Sequence, residues 1–442
     1  AERAGDGAAA QAGYQAALVH ARSAPHLQAH LARAATDAAG ALPVALSPAA
    51  AEVVTALGRR EIVLPTAPER RGPRVTIAII AANALVAIVT ALVLGNPGDV
   101  GVVVRAGGSL RSAVDLGEWW RVPTSVFVHV GWVHLIVNML GLWSLGRIAE
   151  GLFGPARTFA IYAGAGLVGA LASHAFGAAG VSAGASGAIF GLCGALLVEL
   201  AVAGKQYPAA GRRALLGALG FVTVVQLAIG FMYPIIDQWG HAVGLVSGGL
   251  LGALVSPHGP AARARAHAAR GAAVLAAIVF VVAGALASTN RYADTLARVP
   301  TTAVDISGLR VTVPASWRPE GTDLVDEELY LVLRIAPAAS ADLARAFETW
   351  RGDERGRALG LGFAEAVAAP DAIFALPGDW QTAELIATVD DDLGTEQRYR
   401  VVLFAHAFDG ARAMTGALYV PDALARDARA ELAAILTSAR VP

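Results

Sequence analysis

The sequence predicts an all-α polytopic membrane protein, a helical bundle of seven spans, followed by a soluble α+β domain. Its 442 residues are 55% hydrophobic and 16% charged, whereas soluble domains average about 25% charged residues. The apolar residues are concentrated in seven runs between residues 75 and 288, and residues 301–442 return to a mixed composition. Together these observations indicate a membrane bundle with a soluble domain at its C-terminal side.

The composition gives no indication of several other classes of protein. A net charge of −1 at pH 7 provides no basic surface for the phosphates of a nucleic acid. Cys193 is the single cysteine, so an intrachain disulfide is impossible and the Cys/His spacings of a structural zinc site are absent. We therefore expect no nucleic-acid partner and no metal.

Residues 1–74 are predicted to form a soluble, Ala-rich, partly helical arm in the cytoplasm. The first forty residues carry charged and polar side chains throughout, and we expect no signal peptide there. Prolines and arginines close the arm and mark a boundary; they are Pro65, Pro68, Arg70, Arg71, Pro73 and Arg74.

The first span is the clearest of the seven. Val75–Leu94 is an uncharged run of 20 residues, which is long enough to cross a hydrocarbon core of about 30 Å. Six further apolar runs follow, at Trp132–Leu145, Thr158–Phe176, Ser186–Ala203, Ala214–Tyr233, Gly240–Val255 and Gly271–Ser288. The second and sixth runs are short, and a buried helix of a soluble protein is the competing interpretation. Seven runs in near-regular succession favour the membrane.

The basic residues predict the orientation, because loops rich in Lys and Arg stay in the cytoplasm. They precede span one and follow spans two, four and six: Arg70, Arg71, Arg74, Arg147, Arg157, Lys205, Arg212, Arg213, Arg263, Arg265 and Arg270. The N-terminus is therefore expected in the cytoplasm and residues 301–442 outside. Arg105, Arg111 and Arg121, in the long first loop, depart from the pattern.

Residues 301–442 are predicted to form an extracytoplasmic α+β domain of unknown role. Strand-like runs at Leu309–Val313 and Tyr399–Phe404 alternate with helix-like runs at Ala341–Trp350 and Pro421–Ala439. No catalytic or metal-binding pattern is visible in this domain. It could recruit substrates, bind a partner or stabilise the fold.

The polar residues that carry chemistry lie at the beginnings of spans two, four and six. These spans all run from outside to inside in the predicted topology, so their first turns share one membrane face. They contribute His134 and Asn138, Ser186, and His241, respectively. Ionisable groups inside spans are costly and usually mark function.

Ser186 is the candidate nucleophile. Gly184 can adopt backbone angles that other residues avoid, and Gly187 allows close backbone approach. A serine that opens a helix lies among free N–H groups at the positive end of the helix dipole, which favours an anion. The alternative is an N-cap serine in a segment of small residues that pack helices tightly.

His241 is the candidate general base. Gly240, Gly244 and Gly248 are four residues apart and form a groove that lets another helix approach, so His241 could reach Ser186 and take its proton. The alternative is a packing histidine bonded to a carbonyl group. Asp237 is interpreted as a helix cap or a solvated side chain rather than as a third member of a triad.

His134 and Asn138 are candidate donors to an oxyanion. Their i, i+4 spacing puts them on one helix face, and losing one such donor typically costs about 10²–10³ in rate. The alternative is a polar pair that joins helices. His129 is a weaker candidate that supports the same loop.

In combination, these segments resemble the rhomboid family of intramembrane serine proteases. The matching stretches begin at Gly117 and end at His129, then run from His134 to Met139, from Gly184 to Gly191 and from Gly240 to Gly244. The resemblance implies a Ser186–His241 dyad without an essential acid, and an oxyanion site made by the Ser186 backbone N–H, His134 and Asn138. Other residues that it implies are supporting: Gly184, Gly187, Phe190, which packs on the histidine, Gly240, Gly244, and the structural pair Trp120 and Arg121.

The resemblance also implies the organisation and the partners. Residues 75–255 would be the six-span protease core, and residues 256–290 a basic loop and a seventh transmembrane helix. The expected activity is cleavage of transmembrane or membrane-anchored proteins near the outer face of the lipid bilayer, with no metal or organic cofactor. The expected location is a bacterial inner membrane. The rival functions are an inactive relative that binds membrane clients, and a transporter or channel that uses the intramembrane His and Ser side chains as a proton path.

Overall fold

The structure is a computed structural model, and it describes residues 72–177, 179–203, 207, 209–233, 236–326, 328–329, 331–338, 342–360, 365–390, 396–409 and 412–441. Most of the predicted N-terminal arm, and Lys205, lie outside the described residues. The described parts of 71–202 and 216–442 form one compact unit. The other unit comprises residues 1–70 and 203–215, and its described part includes the beginning of one helix.

The apolar part of the chain is helical. In chain order it contains α1 (Arg74–Val93), α2 (Val100–Arg105), β1 (Ser109–Leu110), α3 (Arg111–Asp115), α4 (Arg121–Ser125), α5 (Gly131–Phe153), α6 (Pro155–Phe176), β2 (Val181–Ser182), α7 (Ser186–Val202), α8 (Ala209–Met232), α9 (Gln238–Leu254) and α10 (Ala262–Thr289). Each of the seven predicted runs overlaps one long helix. The short elements between α1 and α5 form a loop, called the first loop below.

Five described helices are long and apolar enough to cross a membrane, namely α1, α5, α6, α8 (over Gly211–Gly230) and α10. The other two, α7 and α9, have 17 residues each. They pack on each other and on α6. α7 is largely buried within the protein, whereas α9 buries a face of glycines and leaves Val246, Leu250 and Leu254 exposed. Helix length and composition establish a helical polytopic membrane protein, and they do not confirm the count of seven spans.

Local contacts determine where these helices begin. Glu150, near the end of α5, accepts hydrogen bonds from the backbone N–H groups of Val75 and Thr76 at 3.0 and 2.9 Å. These are N–H groups of the first turn of α1, which have no partner within their own helix. The start of α1 and the end of α5 therefore lie at the same end of the bundle.

The C-terminal part of the chain is built around an antiparallel sheet. Its elements are α11 (Tyr292–Leu296), β3 (Thr301–Ile306), β4 (Leu309–Pro314), β5 (Arg318–Glu320), β6 (Asp323–Asp326), β7 (Leu331–Pro337), α12 (Leu343–Gly360), β8 (Glu365–Ala368), β9 (Gln381–Asp390), β10 (Glu396–Ala407), β11 (Ala413–Pro421), α13 (Asp422–Asp427) and α14 (Arg429–Thr437). Seven strands pair in the order β5-β6-β7-β11-β10-β9-β8, and β3 and β4 form a separate hairpin.

Both faces of the sheet carry apolar side chains, because successive residues of a strand point to opposite sides. On one face Val402 and Phe404 join a core with the helices α11, α13 and α14. On the other face Val401 and Leu403 pack with Phe347 of α12. The sheet is thus the middle layer of a three-layer α+β domain.

The sequence predicts several of these elements, with one difference. The strand-like runs at Leu309–Val313 and Tyr399–Phe404 lie in β4 and β10. The expected helical run Pro421–Ala439 is divided into α13 and α14 at Ala428, whose backbone angles are φ −115° and ψ 29°. The Asp427 side chain accepts a hydrogen bond from the backbone N–H of Tyr292, so a contact with a distant segment holds the chain at this break.

Candidate active site

The first turns of α5, α7 and α9 meet at one end of the bundle. His241 of α9 contacts Ser186, the first residue of α7. His134 of α5 lies against Gly184, where an added Cβ would be 2.7 Å from the ring atom Cε1. Asn138 follows one turn after His134. The structure therefore brings Ser186, His241 and His134 to one place, and Asn138 lies on the same helix as His134.

Ser186 and His241 are in hydrogen-bond contact. The Oγ of Ser186 lies 2.6 Å from Nε2 of His241. A neutral imidazole with its proton on Nδ1 accepts the serine proton through Nε2. General-base activation requires a separation of about 2.6–3.2 Å. The pair has the geometry to convert a serine hydroxyl into a nucleophile.

The turn before Ser186 depends on a glycine. Gly184 has φ +132°, a region that L side chains rarely adopt. Its N–H donates to the carbonyl of Ser125 at 2.8 Å, which ties the turn to the end of α4. α7 then begins at Ser186, as the sequence predicts.

Glycines also bring α7 and α9 together. A Cβ at Gly244 would lie 2.3 Å from the carbonyl oxygen of Gly187, and one at Gly248 would lie 2.1 Å from that of Gly191. Both neighbours are backbone atoms, which cannot move aside as a flexible side chain could. The glycine groove predicted on α9 is confirmed. It allows the backbones of α7 and α9 to lie close enough for His241 to contact Ser186.

His241 is held by an aromatic ring. Phe190 stacks on its imidazole with 4.6 Å between centroids and 16° between planes, as the resemblance implies. Among the described residues, Nδ1 of His241 has no hydrogen-bond partner.

Asp237 caps α9 instead of bonding to His241. Its carboxylate accepts hydrogen bonds from the Gly240 N–H at 2.9 Å and from Ser182 Oγ at 3.3 Å. The interpretation of Asp237 as a helix cap is confirmed.

Asn138 is bonded within its own helix. Its Nδ2 donates to the carbonyl oxygen of His134 at 2.9 Å, and the residue is buried. An amide nitrogen carries two N–H bonds, so this contact uses one of two donors. His134 in turn packs edge-to-face with the ring of His129, at 5.2 Å between centroids.

His129 is more closely connected to the nucleophile than the sequence indicates. Its Nδ1 lies 3.3 Å from the carbonyl oxygen of Phe127, so this nitrogen carries the proton in that contact. Its Nε2 is then free to accept from the Ala185 N–H, 3.5 Å away. Burial, with a smaller effect of neighbouring His134, lowers the pKa of His129 to about 3, which keeps the ring neutral for this role.

Arg121 organises the first loop. Its buried guanidinium donates to the carbonyl oxygens of Val104 and Gly108 at 2.7 and 3.0 Å and pairs with Glu118 at 2.6 Å. The charge also lies 4.5 Å from the centroid of the Trp120 ring, a favourable cation–π arrangement. These contacts explain how a basic residue is accommodated there.

The chain was compared with known proteins on the basis of sequence and fold. Residues 116–258 match the family model of the Rhomboid domain. The chain is 37% identical over 158 residues to the rhomboid protease GluP of Bacillus subtilis (strain 168), which covers 35% of this chain and 29% of GluP. It is 42% identical over 135 residues to RHOMBOID-like protein 1 of Arabidopsis thaliana, which covers 30% of this chain and 34% of that protein.

The extent of these similarities is limited. The chain spans about a third of the length of these two relatives. The solved structure of the Saccharomyces cerevisiae Ran-binding protein Mog1p is similar with 12% identity and a TM-score of 0.24, covering 32% of this chain and 96% of that one. A TM-score this low supports no conclusion. The segment that matches the Rhomboid domain contains the contact between Ser186 and His241, and the chain, an integral membrane protein, carries a domain of the rhomboid family over residues 116–258.

Proposed function

We propose that the protein is an intramembrane serine endopeptidase that cleaves transmembrane or membrane-anchored proteins with a Ser186–His241 dyad. The observation that carries this proposal is the 2.6 Å contact between Ser186 Oγ and His241 Nε2. It lies in the segment shared with the rhomboid protease GluP. The absence of a bonded partner at His241 Nδ1 among the described residues agrees with a dyad.

In the proposed reaction Ser186 Oγ attacks the carbonyl carbon of the scissile peptide bond while His241 takes the hydroxyl proton. The tetrahedral intermediate collapses when the C–N bond breaks, and His241 returns the proton to the leaving amine. A water molecule then attacks the acyl carbon while His241 takes its proton; the bond from that carbon to Ser186 Oγ breaks, His241 returns the proton to Ser186 Oγ, and the new carboxyl group is released. Atoms and protons balance over the two half-reactions.

The oxyanion would be stabilised at the start of α7. The N–H of Ser186 belongs to the first turn of that helix, where N–H groups lack partners within the helix and the helix dipole favours negative charge. We assign His134 and Asn138 as additional donors, since His134 packs on Gly184 and Asn138 has a second N–H bond. Donors fixed before the reaction stabilise a developing charge most effectively.

We propose seven spans, with the N-terminus in the cytoplasm and the C-terminal domain outside. After α1, Gly98 accepts a hydrogen bond from Gln397 in the C-terminal domain at 2.6 Å, so the domain lies at the end of the bundle where α1 finishes. A chain that begins in the cytoplasm and places this domain outside must cross the membrane an odd number of times. Combined with the basic loops, it supports a site that opens on the outer side of a bacterial inner membrane.

Substrates would be membrane proteins with a helix that unwinds near the outer surface. In a helix the carbonyl groups are hydrogen-bonded and poorly exposed to attack, and the bilayer core offers no water to replace those bonds. We therefore expect small or helix-breaking residues near the cleavage point.

The test is cleavage of a fluorescent single-span peptide in liposomes by the wild type, Ser186→Ala and His241→Ala. Loss of cleavage in both variants, with unchanged helix content, is the expected result. Full activity in Ser186→Ala would end the proposal. A serine-reactive fluorophosphonate separates the rival functions, because a client-binding relative or a transporter would leave Ser186 unlabelled.

A further inference from the structure

The C-terminal domain shares a hydrophobic core with the first loop of the membrane part. Val104, Leu110 and Ala113 of this loop are 0–1% exposed and belong to the same apolar cluster as Leu296 and Leu424. Apolar surface buried in this way strongly favours the packed arrangement. The domain is therefore built onto the loop rather than tethered beside it.

Polar contacts fix the same interface at two points. Glu118, which is buried, accepts a hydrogen bond from Thr295 Oγ1 at 2.7 Å and pairs with Arg298. Elsewhere, the Gln397 amide donates to the carbonyl of Gly98. Buried polar groups are costly when they lose their partners. The domain is thus held in one defined position on the loop.

One contact lies beside the β1–β2 pair. The carboxylate of Glu328, in the turn between β6 and β7, accepts a hydrogen bond from the Ser112 N–H at 3.2 Å. Its backbone lies against Gly180, where an added Cβ would be 2.6 Å from the Cα of Glu328. The Gly180 carbonyl accepts from the Arg111 N–H at 3.0 Å. Glu328 therefore contacts the residues that flank both strands of the pair.

The β1–β2 pair leads directly to both members of the dyad. β2 ends at Ser182, and the chain passes through Gly184 to reach Ser186. The hydroxyl of Ser182 also donates to Asp237, the cap of the helix that carries His241. A shift of this strand pair would change the position of the nucleophile and of the base.

We propose that the C-terminal domain, through Glu328, is a positioning element of the catalytic site, which holds the β1–β2 pair and thereby the separation of Ser186 and His241. This inference rests on the proposed peptidase function and assigns the extra domain a role in it. A domain that only collected substrates would require no contact with Ser112 or Gly180. Glu328 is a positioning residue, since it acts through the strands and contacts neither member of the dyad.

The experiment uses the full chain in detergent and two readouts. The first is the rate at which a small fluorophosphonate labels Ser186, which requires no substrate recruitment. The second is kcat and KM for a single-span peptide. Glu328→Ala is expected to lower the labelling rate and kcat about tenfold with little change in KM, because small misplacements of catalytic groups are costly. Glu328→Gln keeps an acceptor oxygen and is expected to restore most of both.

A second variant tests the contact from the membrane side. Gly180→Ala places a methyl group against the Glu328 backbone and is expected to act like Glu328→Ala. Its matched control is Gly151→Ala, where an added Cβ meets nothing within 4 Å and the labelling rate should equal that of the wild type. Loss of hydrogen-exchange protection in β10 of Glu328→Ala would mean that the domain is unfolded in this variant. In that case the labelling rate and kcat of Gly180→Ala alone test the inference.

The outcomes separate this inference from the proposed function. Wild-type labelling and kcat in both variants would overturn it, and so would a change in KM alone, which indicates recruitment. If Ser186 is unlabelled even in the wild type, the peptidase function fails. Hydrogen exchange at residues 181–186 then tests the positioning by itself. Faster exchange in Glu328→Ala than in Glu328→Gln supports it, and equal exchange contradicts it.

Discussion

Phe190 lies one helical turn after Ser186 and stacks on His241, with 4.6 Å between the ring centroids. Residues four apart share a helix face, so the helix that carries the nucleophile also carries the ring that holds the base. The orientation of His241 is thereby linked to the position of Ser186. Among the described residues, no carboxylate is hydrogen-bonded to Nδ1 of His241.

Phe190→Ala is expected to reduce kcat by about two- to tenfold, because stacked aromatic pairs contribute roughly 0.5–1.5 kcal/mol beyond their buried area. Phe190→Tyr keeps the ring and should retain most of the activity. Peptide cleavage in liposomes measures both. Equal rates for Ala and Tyr at position 190 would show that the stacking has no part in orienting His241.

Gly244→Ala is expected to separate α7 from α9, since its Cβ would meet the backbone oxygen of Gly187 at 2.3 Å. Overpacking of this kind typically costs about 1–3 kcal/mol, and the separation should also lower the labelling of Ser186. Thermal unfolding in detergent and fluorophosphonate labelling provide the two measurements. Gly220→Ala is the control, because nothing lies within 4 Å of its added Cβ. Similar losses of stability and labelling in the control would show that the spacing of α7 and α9 is not the cause.

Asp237→Asn is expected to cleave at nearly the wild-type rate. Asn is as good an N-cap as Asp, whereas loss of the cap in Asp237→Ala should destabilise the helix by about 0.5–2 kcal/mol. Replacement of a true triad aspartate by Asn typically lowers kcat by about 10⁴-fold. Measured kcat values for the two variants distinguish these roles, and a loss of that size in Asp237→Asn would make Asp237 part of the catalytic group.

Leu110→Ala is expected to loosen the first loop and the C-terminal domain together. Truncation of a buried leucine costs about 2–5 kcal/mol, and Leu110 is 1% exposed in the shared core. Hydrogen exchange should rise both at residues 104–113 and at residues 424–436. Leu85→Ala, at a position of α1 that is 61% exposed in the chain, should change neither; a rise confined to the loop would mean that the two parts are stable independently.

Local patterns predicted much of the candidate site. The glycines at 184 and 187 around Ser186, the i, i+4 spacing of His134 and Asn138, and the position of Asp237 before α9 each act within a few residues. Such signals describe a helix start or a helix face directly. Prediction of the contact between Ser186 and His241 also required the inference that spans two, four and six cross the membrane in the same direction.

Long-range contacts were not predictable in the same way. The hydrogen bond from Ser112 to Glu328 joins residues 216 positions apart, and neither residue belongs to a pattern that indicates the other. The division of the last helix at Ala428 depends on Tyr292, which lies outside that helix. Strand and helix periodicity indicates an α+β domain, but it does not tell which surface that domain covers.

The core shared by the first loop and the C-terminal domain also determines when the first loop can finish folding. Val104 and Leu110 leave the ribosome early, whereas Leu432 and Leu436, which pack in the same cluster, lie roughly 320 positions later in the chain. At about 5–20 residues per second, the first loop waits roughly tens of seconds for these partners. Until those residues have been translated, the first loop therefore lacks part of its buried core, although the helices α5–α10 that follow it in the chain are already made.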